Sequence, residues 1–536
     1  MIPHSRALSR VFVLGPLAFG AVRALGAQQA APIHATYYML LGTDTLGIER
    51  ATRTAQRLEG EFLDKARGLR VRYSAALAAD ASITSAETWL YRGTDDTTAL
   101  QHARLRLQGD SVIVEFPNGA PTQRIATQRG ALLYINPSFA IVEQALLRAK
   151  VIGGKSVQVA LFSSAGGQTI PLTVTWGGAD SAILNIGPIE MRASIAVDGR
   201  LTGLTVPSQN VRVFRVDGTR TATLPRVDYS APPDAPYTAE EVVVRTPAGV
   251  TLRGTLTLPT ARPASGVPAV VTITGSGAQE RDEALPGLAG YRPFRQLADT
   301  LARRGIAVLR LDDRGVGGSD AGPPGATSAD FADDVRAALA YLRARREIDG
   351  ERLALVGHSE GGMIAPMVAA TDPRLRAIVL LAGPSWSGRA ILSYQQRYAA
   401  DSMLKLAGSA RDSALKAMSK SLDSAAATLP WVRFFLDYDP IATAKRVRQP
   451  VLVLQGATDR QVTAEQAHEL AAAFRAGGNR DVTETVIPGT NHLFLTDPDG
   501  NPSGYAKLTS TSVRPEVLGA IADWLAARLR RGARGA

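Results

Sequence analysis

At 536 residues the chain is too long for one hydrophobic core, and its 45% apolar and 20% charged residues are those of a globular protein, so two domains plus accessory segments are expected. It holds no cysteine, which excludes disulfides, thiolate metal sites and a cysteine nucleophile. The formal charge of +11 does not make a nucleic-acid binder: the basic residues are nearly all arginine, spread along the chain between acids, and the one cluster, Arg528 to Arg534, reads as a solvated tail.

In chain order, Met1 to Ala27 has the layout of an export signal: Arg6 and Arg10, an apolar run from Val11 to Val22, and a small-residue exit at Ala24-Leu-Gly-Ala27. That run as a helix reaches about 18 Å, short of the roughly 30 Å of hydrocarbon a membrane span must cross. With no cysteine at the exit there is no lipid attachment, and no later segment is long and apolar enough to cross a bilayer. The mature chain is therefore expected to be periplasmic or extracellular.

Residues 33–228 read as a mainly β domain of unknown role. Tyr37 to Leu41, Leu69 to Tyr73, Thr88 to Tyr91 and Ser111 to Glu115 are strand-like, several with the period-two alternation of a sheet with one wet face. Gly42 to Thr45, Pro117 to Gly119 and Val197 to Gly199 punctuate them as turns. One helix, Ser138 to Lys150, interrupts the strands, and an antiparallel meander curled over it is the expected arrangement. Val151-Ile-Gly-Gly-Lys-Ser156 resembles a phosphate loop, but the leading glycine that pattern needs is Ala149, so it is a turn. The proline-rich stretch at 229–238 reads as a linker.

From 239 to 533 the pattern changes. A hairpin (Glu240 to Arg245, Val250 to Leu258) precedes continuous apolar strands alternating with amphipathic helices: Ala269 to Thr274, Ile306 to Leu311, Leu353 to Val356, Leu375 to Ala382, Val451 to Gln455 and Asp481 to Ile487. Such alternation means a mostly parallel sheet with helices on both faces. Between about 386 and 447 it gives way to Ala/Leu/Ser-rich helical sequence, expected to be a cap over the sheet's C-terminal edge.

Gly357-His-Ser-Glu-Gly361 follows the strand Leu353 to Val356 and precedes a helical run, the setting of a nucleophile elbow with Ser359 exposed on a strained turn. A serine hydroxyl needs a histidine to take its proton and an acid to orient that histidine. Of six histidines, His4, His34 and His102 precede the domain, His358 adjoins the serine and cannot fold back onto its hydroxyl, and His468 lies on a surface helix position. His492, in the loop after the last strand, remains as the base. Asp459, at the lip of the strand Val451 to Gln455, is the acid, with Asp437 and Asp439 as competitors that no strand end seats. For the oxyanion, one N–H donor is expected from Glu360 and a second from the Thr274-Gly-Ser-Gly-Ala-Gln279 loop, at Ser276 or else Gly277. That loop also imitates a dinucleotide fingerprint, but Glu280 stands where the phosphate would approach. Gln279 and Trp431 are the candidate substrate contacts, and no metal or cofactor constellation is present.

The segments Thr274 to Glu283, Asp312-Asp-Arg-Gly-Val-Gly-Gly-Ser319, Gly357 to Gly362, Trp431 to Pro440 and Gly489 to Phe494 resemble secreted bacterial carboxylesterases of the α/β-hydrolase superfamily, close to the acyl-peptidase and serine-aminopeptidase-like branch. The resemblance runs from about Tyr237 to Leu529. It implies an α/β-hydrolase fold, hydrolysis of small acyl esters without cofactor, and structural roles for Asp312 and Arg314 beside the turn after the second parallel strand. The first domain lies outside it. A small-molecule ester is the expected partner, and a homodimer is left open. Two other readings stand beside an esterase: a peptidase with the same triad, for which Glu280 and Asp282 are the acids near enough to hold an amino terminus, and a non-catalytic cell-envelope binding protein.

Overall fold

The structure is a computed structural model that describes residues 31–530, apart from positions 42–43, 65–68, 93–96, 118, 136–137, 164–166, 188, 208–210, 219–226, 286–287, 289 and 324. The expected export signal lies outside the described residues, as do half of the Gly42 turn and part of the Pro117 turn.

Among the described residues the N-terminal half is a 15-stranded sheet, antiparallel throughout except where Leu132–Tyr134 runs parallel to Ser156–Ser163. The first strand, Ile33–Leu41, pairs with the last, Val211–Asp217, joining the starting edge of one meander to the final edge of the other. The helix Phe139–Ile152 packs on the inner face, and one contiguous core gathers it with inward residues such as Phe62, Val112 and Leu184. Strands so far apart in the sheet order meet one helix only because the sheet curls over it. Polar residues pin the helix in place. Buried Glu49 accepts hydrogen bonds from Ser138 Oγ (2.6 Å), Tyr73 Oη (2.5 Å) and the amides of Phe139 and Ala140 at the helix start. Glu143 accepts from Tyr37, Arg53, Arg215 and the amide of Leu201.

The C-terminal half is an eight-stranded sheet. Its strands are β1 (Tyr237–Arg245), β2 (Thr251–Pro259), β3 (Val267–Ile273), β4 (Ala307–Leu311), β5 (Ile348–His358), β6 (Ala377–Leu381), β7 (Val451–Gly456) and β8 (Val482–Ile487). Their order is β1-β2-β4-β3-β5-β6-β7-β8, antiparallel for the β1/β2 hairpin and the β2/β4 pair and parallel from β4 to β8. The expected hairpin and all six later strands are present.

The helices are α1 (Pro293–Ala302), α2 (Ser328–Arg343), α3 (Glu360–Ala369), α4 (Gly388–Tyr398), α5 (Gly408–Thr428), α6 (Pro430–Asp437), α7 (Pro440–Ala444), α8 (Ala464–Ala476) and α9 (Pro515–Arg528). Buried side chains fall into two clusters, one with α2, α3 and α8, the other with α1 and α9, because β3, β5, β6 and β7 send alternate residues to opposite faces. Helices α4 to α7 form the expected cap. Strand order turns back at β3, and ligands of open α/β sheets bind at the carboxyl ends of the strands beside such a point. Among the described residues no helix is long and apolar enough to cross a membrane.

Candidate active site

Strand β5 is wholly buried from Leu353 to Val356 and runs into Ser359, which caps α3 at φ 53°, ψ −115°. A non-glycine residue holds that conformation only where its surroundings enforce it. Here its N–H donates to Leu381 O at 2.8 Å and its carbonyl accepts from Gly362 N at 2.9 Å. The flanking glycines are sterically required: a Cβ on Gly357 would lie 2.0 Å from Gly361 O, and one on Gly361 would lie 2.2 Å from Ile273 O. The elbow expected from the motif is thus formed, and Ser359 borders a cavity of about 400 Å³.

His492 borders the same cavity, buried at 5% exposure, and its Nδ1 meets Asp459 Oδ2 at 2.7 Å. The loop that carries His492 is held by Asn491, whose Oδ1 accepts from the amides of Leu493 and Leu495. Asp459 sits just past β7, and four donors converge on its carboxylate. Oδ2 accepts from His492 and from Gln455 Nε2 (2.8 Å), while Oδ1 accepts from the amides of Gln461 (2.7 Å) and Val462 (3.0 Å). Of the competitors, Asp439 caps α7. His468 is exposed and pairs with Glu484, as its helix position implies.

Ser276 and Gln279 line the cavity beside Ser359, and a Cβ on Gly275 would come within 3.3 Å of Ser359 Cβ. Gly277 faces a smaller adjoining cavity with Asp313. Asp313 braces both ends of this loop: Oδ1 accepts from Thr274 Oγ1 (2.9 Å), Oδ2 from Gln279 N (3.0 Å), and its own N–H donates to Gln279 O (3.1 Å). Desolvation holds its carboxyl well above the usual carboxylate range despite those hydrogen bonds. Glu360 opens α3, where the amides have no earlier turn to bond to and the helix dipole is positive. Its carboxylate accepts from Ser328 Oγ (2.6 Å) and from Trp431 Nε1 in the cap (2.9 Å).

Of seven cap aromatics, Trp386, Tyr394, Tyr398, Trp431, Phe434, Phe435 and Tyr438, only Trp431 and Phe435 line the cavity, stacked at 5.3 Å. Trp386 donates to Glu469 instead. Glu280 and Asp282 do not line the cavity: Glu280 accepts from Tyr229 and buried Asp282 pairs with Arg310 and Arg292, so neither is free to hold an amino terminus there. Asp312 and Arg314 are spent on buried pairs with Arg281 and Asp334. No cluster of three or more metal-ligating side chains occurs among the described residues.

Two residues that sequence reasoning passed over also line the cavity, Glu283 and His358. Burial lowers the basicity of His358, but the Glu283 carboxylate, the His492 carbonyl and Asp459 outweigh it and raise its pKa above the free value. A raised histidine stabilises the fold fully below the free value of about 6.5, and that contribution is lost as pH rises through the raised one. Thermal melts are accordingly expected to show stability falling as the solution is made more alkaline above about pH 6.5. In His358→Gln this part of the fall should disappear; an unchanged slope would assign it to other groups.

Residues 289–499 match the family described as Serine aminopeptidase, S33. The C-terminal domain has an α/β-hydrolase fold. The chain is 26% identical over 282 residues to Esterase EstD of Thermotoga maritima, covering 51% of this chain and 65% of that protein, so it spans just under two thirds of that relative. Among solved structures, this hydrolase fold is similar to the Pyrococcus furiosus esterase Pf2001, at 17% identity and TM-score 0.41, covering 58% of this chain and 100% of that one. It is similar too to Est1E of Butyrivibrio proteoclasticus, solved with ferulic acid bound, at 17% identity and TM-score 0.37, covering 54% and 99%.

Proposed function

We propose that the hydrolase domain is a serine esterase that cleaves neutral carboxylic esters of short acyl chains through an acyl-enzyme. The observation that carries this reading is one cavity bordered by both the strained Ser359 and His492, whose Nδ1 is held by buried Asp459. Ser359 Oγ attacks the ester carbonyl while His492 Nε2 takes its proton, and Asp459 keeps the other ring nitrogen protonated. The tetrahedral oxyanion accepts from the amides of Glu360 and Ser276, the alcohol leaves with the proton from His492, and water reverses the sequence to release the acid.

Charge narrows the substrate. Among the described residues the cavity lining includes the carboxylates of Glu283 and Glu360 and no lysine or arginine, so an acyl chain with its own carboxylate finds no counter-ion there. The same carboxylates weigh against an aminopeptidase, because both already accept hydrogen bonds from protein groups. Kinetics on p-nitrophenyl esters of rising chain length beside aminoacyl amides test the assignment. Esters of about two to six acyl carbons should dominate; faster cleavage of amides would replace the esterase with a peptidase, and loss of activity in EDTA would require a metal step.

The Trp431–Phe435 stack closes the cavity from the cap. A methylene that fits an apolar pocket contributes about 0.8 kcal/mol, and one that does not forfeits it and adds strain. Trp431→Ala should therefore move the chain-length optimum toward longer esters. An unchanged profile would remove the cap from specificity.

A further inference from the structure

Beside the base lies a second histidine for which the proposed reaction has no use. His358 is 6% exposed, its ring centre 4.9 Å from that of His492 and 6.1 Å from that of Phe494. Its Nδ1 is 2.9 Å from Glu283 Oε1 and its Nε2 is 2.9 Å from the backbone carbonyl oxygen of His492. Glu283 Oε1 also accepts from Gly275 N at 2.6 Å. Both ring nitrogens thus face oxygens, and the carbonyl can only accept. Nε2 therefore carries a hydrogen and donates it to His492 O. A second proton must lie between Nδ1 and Glu283, on the ring or on the carboxyl, because two lone pairs cannot face each other at that distance. The pair is neutral as a unit in either form, which is how it survives burial.

This arrangement joins three separate pieces of chain. Gly275 precedes Ser276 in the oxyanion loop, His358 precedes the nucleophile, and the carbonyl that accepts from Nε2 belongs to the base itself. Glu283 and Phe494, both non-glycine, are held at φ 57° and 58° where the chain bends to meet His358. We propose that Glu283 and His358 form a positioning pair that ties the oxyanion loop, the elbow and the base loop together and fixes His492 relative to Ser359. This rests on the reading of His492 as the base. Neither residue exchanges a proton with substrate; their effect passes through His492.

Three variants of His358 in the full-length chain test the pair, because the two amide side chains imitate different ring nitrogens. Glutamine carries its N–H where Nε2 stood and can still donate to His492 O. Asparagine carries it where Nδ1 stood and keeps only the contact with Glu283. With p-nitrophenyl butyrate, His358→Ala and His358→Asn should lose about 10- to 100-fold in kcat, the scale set by losing an orienting partner or by a 1 Å misplacement, with KM changed less than about threefold. His358→Gln should retain kcat within about threefold of wild type. A residue that merely fills space predicts no such division between glutamine and asparagine. Wild-type kcat in His358→Asn, equal impairment of Asn and Gln, or a loss lying wholly in KM would each overturn the proposal. Should His358→Ala fail to fold, the Asn and Gln pair decides alone, and failure of those two to fold as well would make His358 a structural residue and overturn it. His492→Ala separates the two readings: if it is active, the base assignment fails and this inference with it; if it is inactive while His358→Asn is unimpaired, only the positioning pair fails.

Discussion

Ser359→Ala is expected to abolish ester hydrolysis, lowering kcat by about 10⁴- to 10⁶-fold, with no loss of thermal stability. The hydroxyl is the only group removed. The bonds that hold the elbow, Ser359 N to Leu381 O and Gly362 N to Ser359 O, are backbone bonds that alanine keeps. Its side chain stands at the cavity edge rather than in a core, so truncation leaves no buried void. Whatever activity survives comes from substrate binding and the oxyanion donors acting on water, which in triad enzymes still exceeds the uncatalysed reaction. Two measurements check this: steady-state turnover of p-nitrophenyl butyrate, and labelling by a fluorophosphonate, which needs the nucleophile. A variant keeping a tenth of wild-type turnover would remove Ser359 from the reaction.

Much of the C-terminal half was legible because its strands are buried on both faces. A run such as Leu353 to Val356, with four consecutive apolar residues, has few other places to go. The elbow was legible for a steric reason, since Gly357 and Gly361 allow the close approach that the turn makes. Asp459 and His492 were legible from their places just after strands β7 and β8 and from the shortage of other histidines. In the N-terminal half individual strands could be read but not their order, because the pairing of Ile33–Leu41 with Val211–Asp217 joins residues nearly the full length of that region apart. The same long separation hid the supporting residues around the site. Glu283 reaches His358, Asp313 reaches Thr274 and Trp431 reaches Glu360 across gaps of 75, 39 and 71 residues. Polar residues of this kind carry no periodic signal; only the fold tells Glu283, which faces the cavity, from Glu280 and Asp282, which do not. Gln455 came closest to being readable, as a lone amide ending the apolar strand β7 four positions before the acid it bonds.

Asp459→Asn should lower kcat by about 10⁴-fold while the protein remains folded, because it changes which ring nitrogen of His492 carries the proton. The hydrogen bonds around Asp459 leave asparagine little choice of orientation. Its oxygen must face the amides of Gln461 and Val462, two donors that cannot change role. Its NH₂ then points at His492 Nδ1 and at Gln455 Nε2, where the carboxylate oxygen had accepted from both. Nδ1 can accept from that NH₂ only by giving up its own hydrogen, which moves to Nε2, and an Nε2 that already holds a proton cannot take one from Ser359. The conflict with Gln455 adds a buried donor facing a donor, a cost of about 1–3 kcal/mol in stability that a melt should register. The loss should lie in kcat with KM little changed, since the variant leaves the cavity walls in place. The slow step becomes deprotonation of the serine, so hydroxide should partly replace the base and the variant's rate should keep rising into alkaline solution after the wild type has levelled. Turnover within tenfold of wild type, or a pH profile parallel to it, would mean that Asp459 does not set the tautomer of His492 and that another group orients the base.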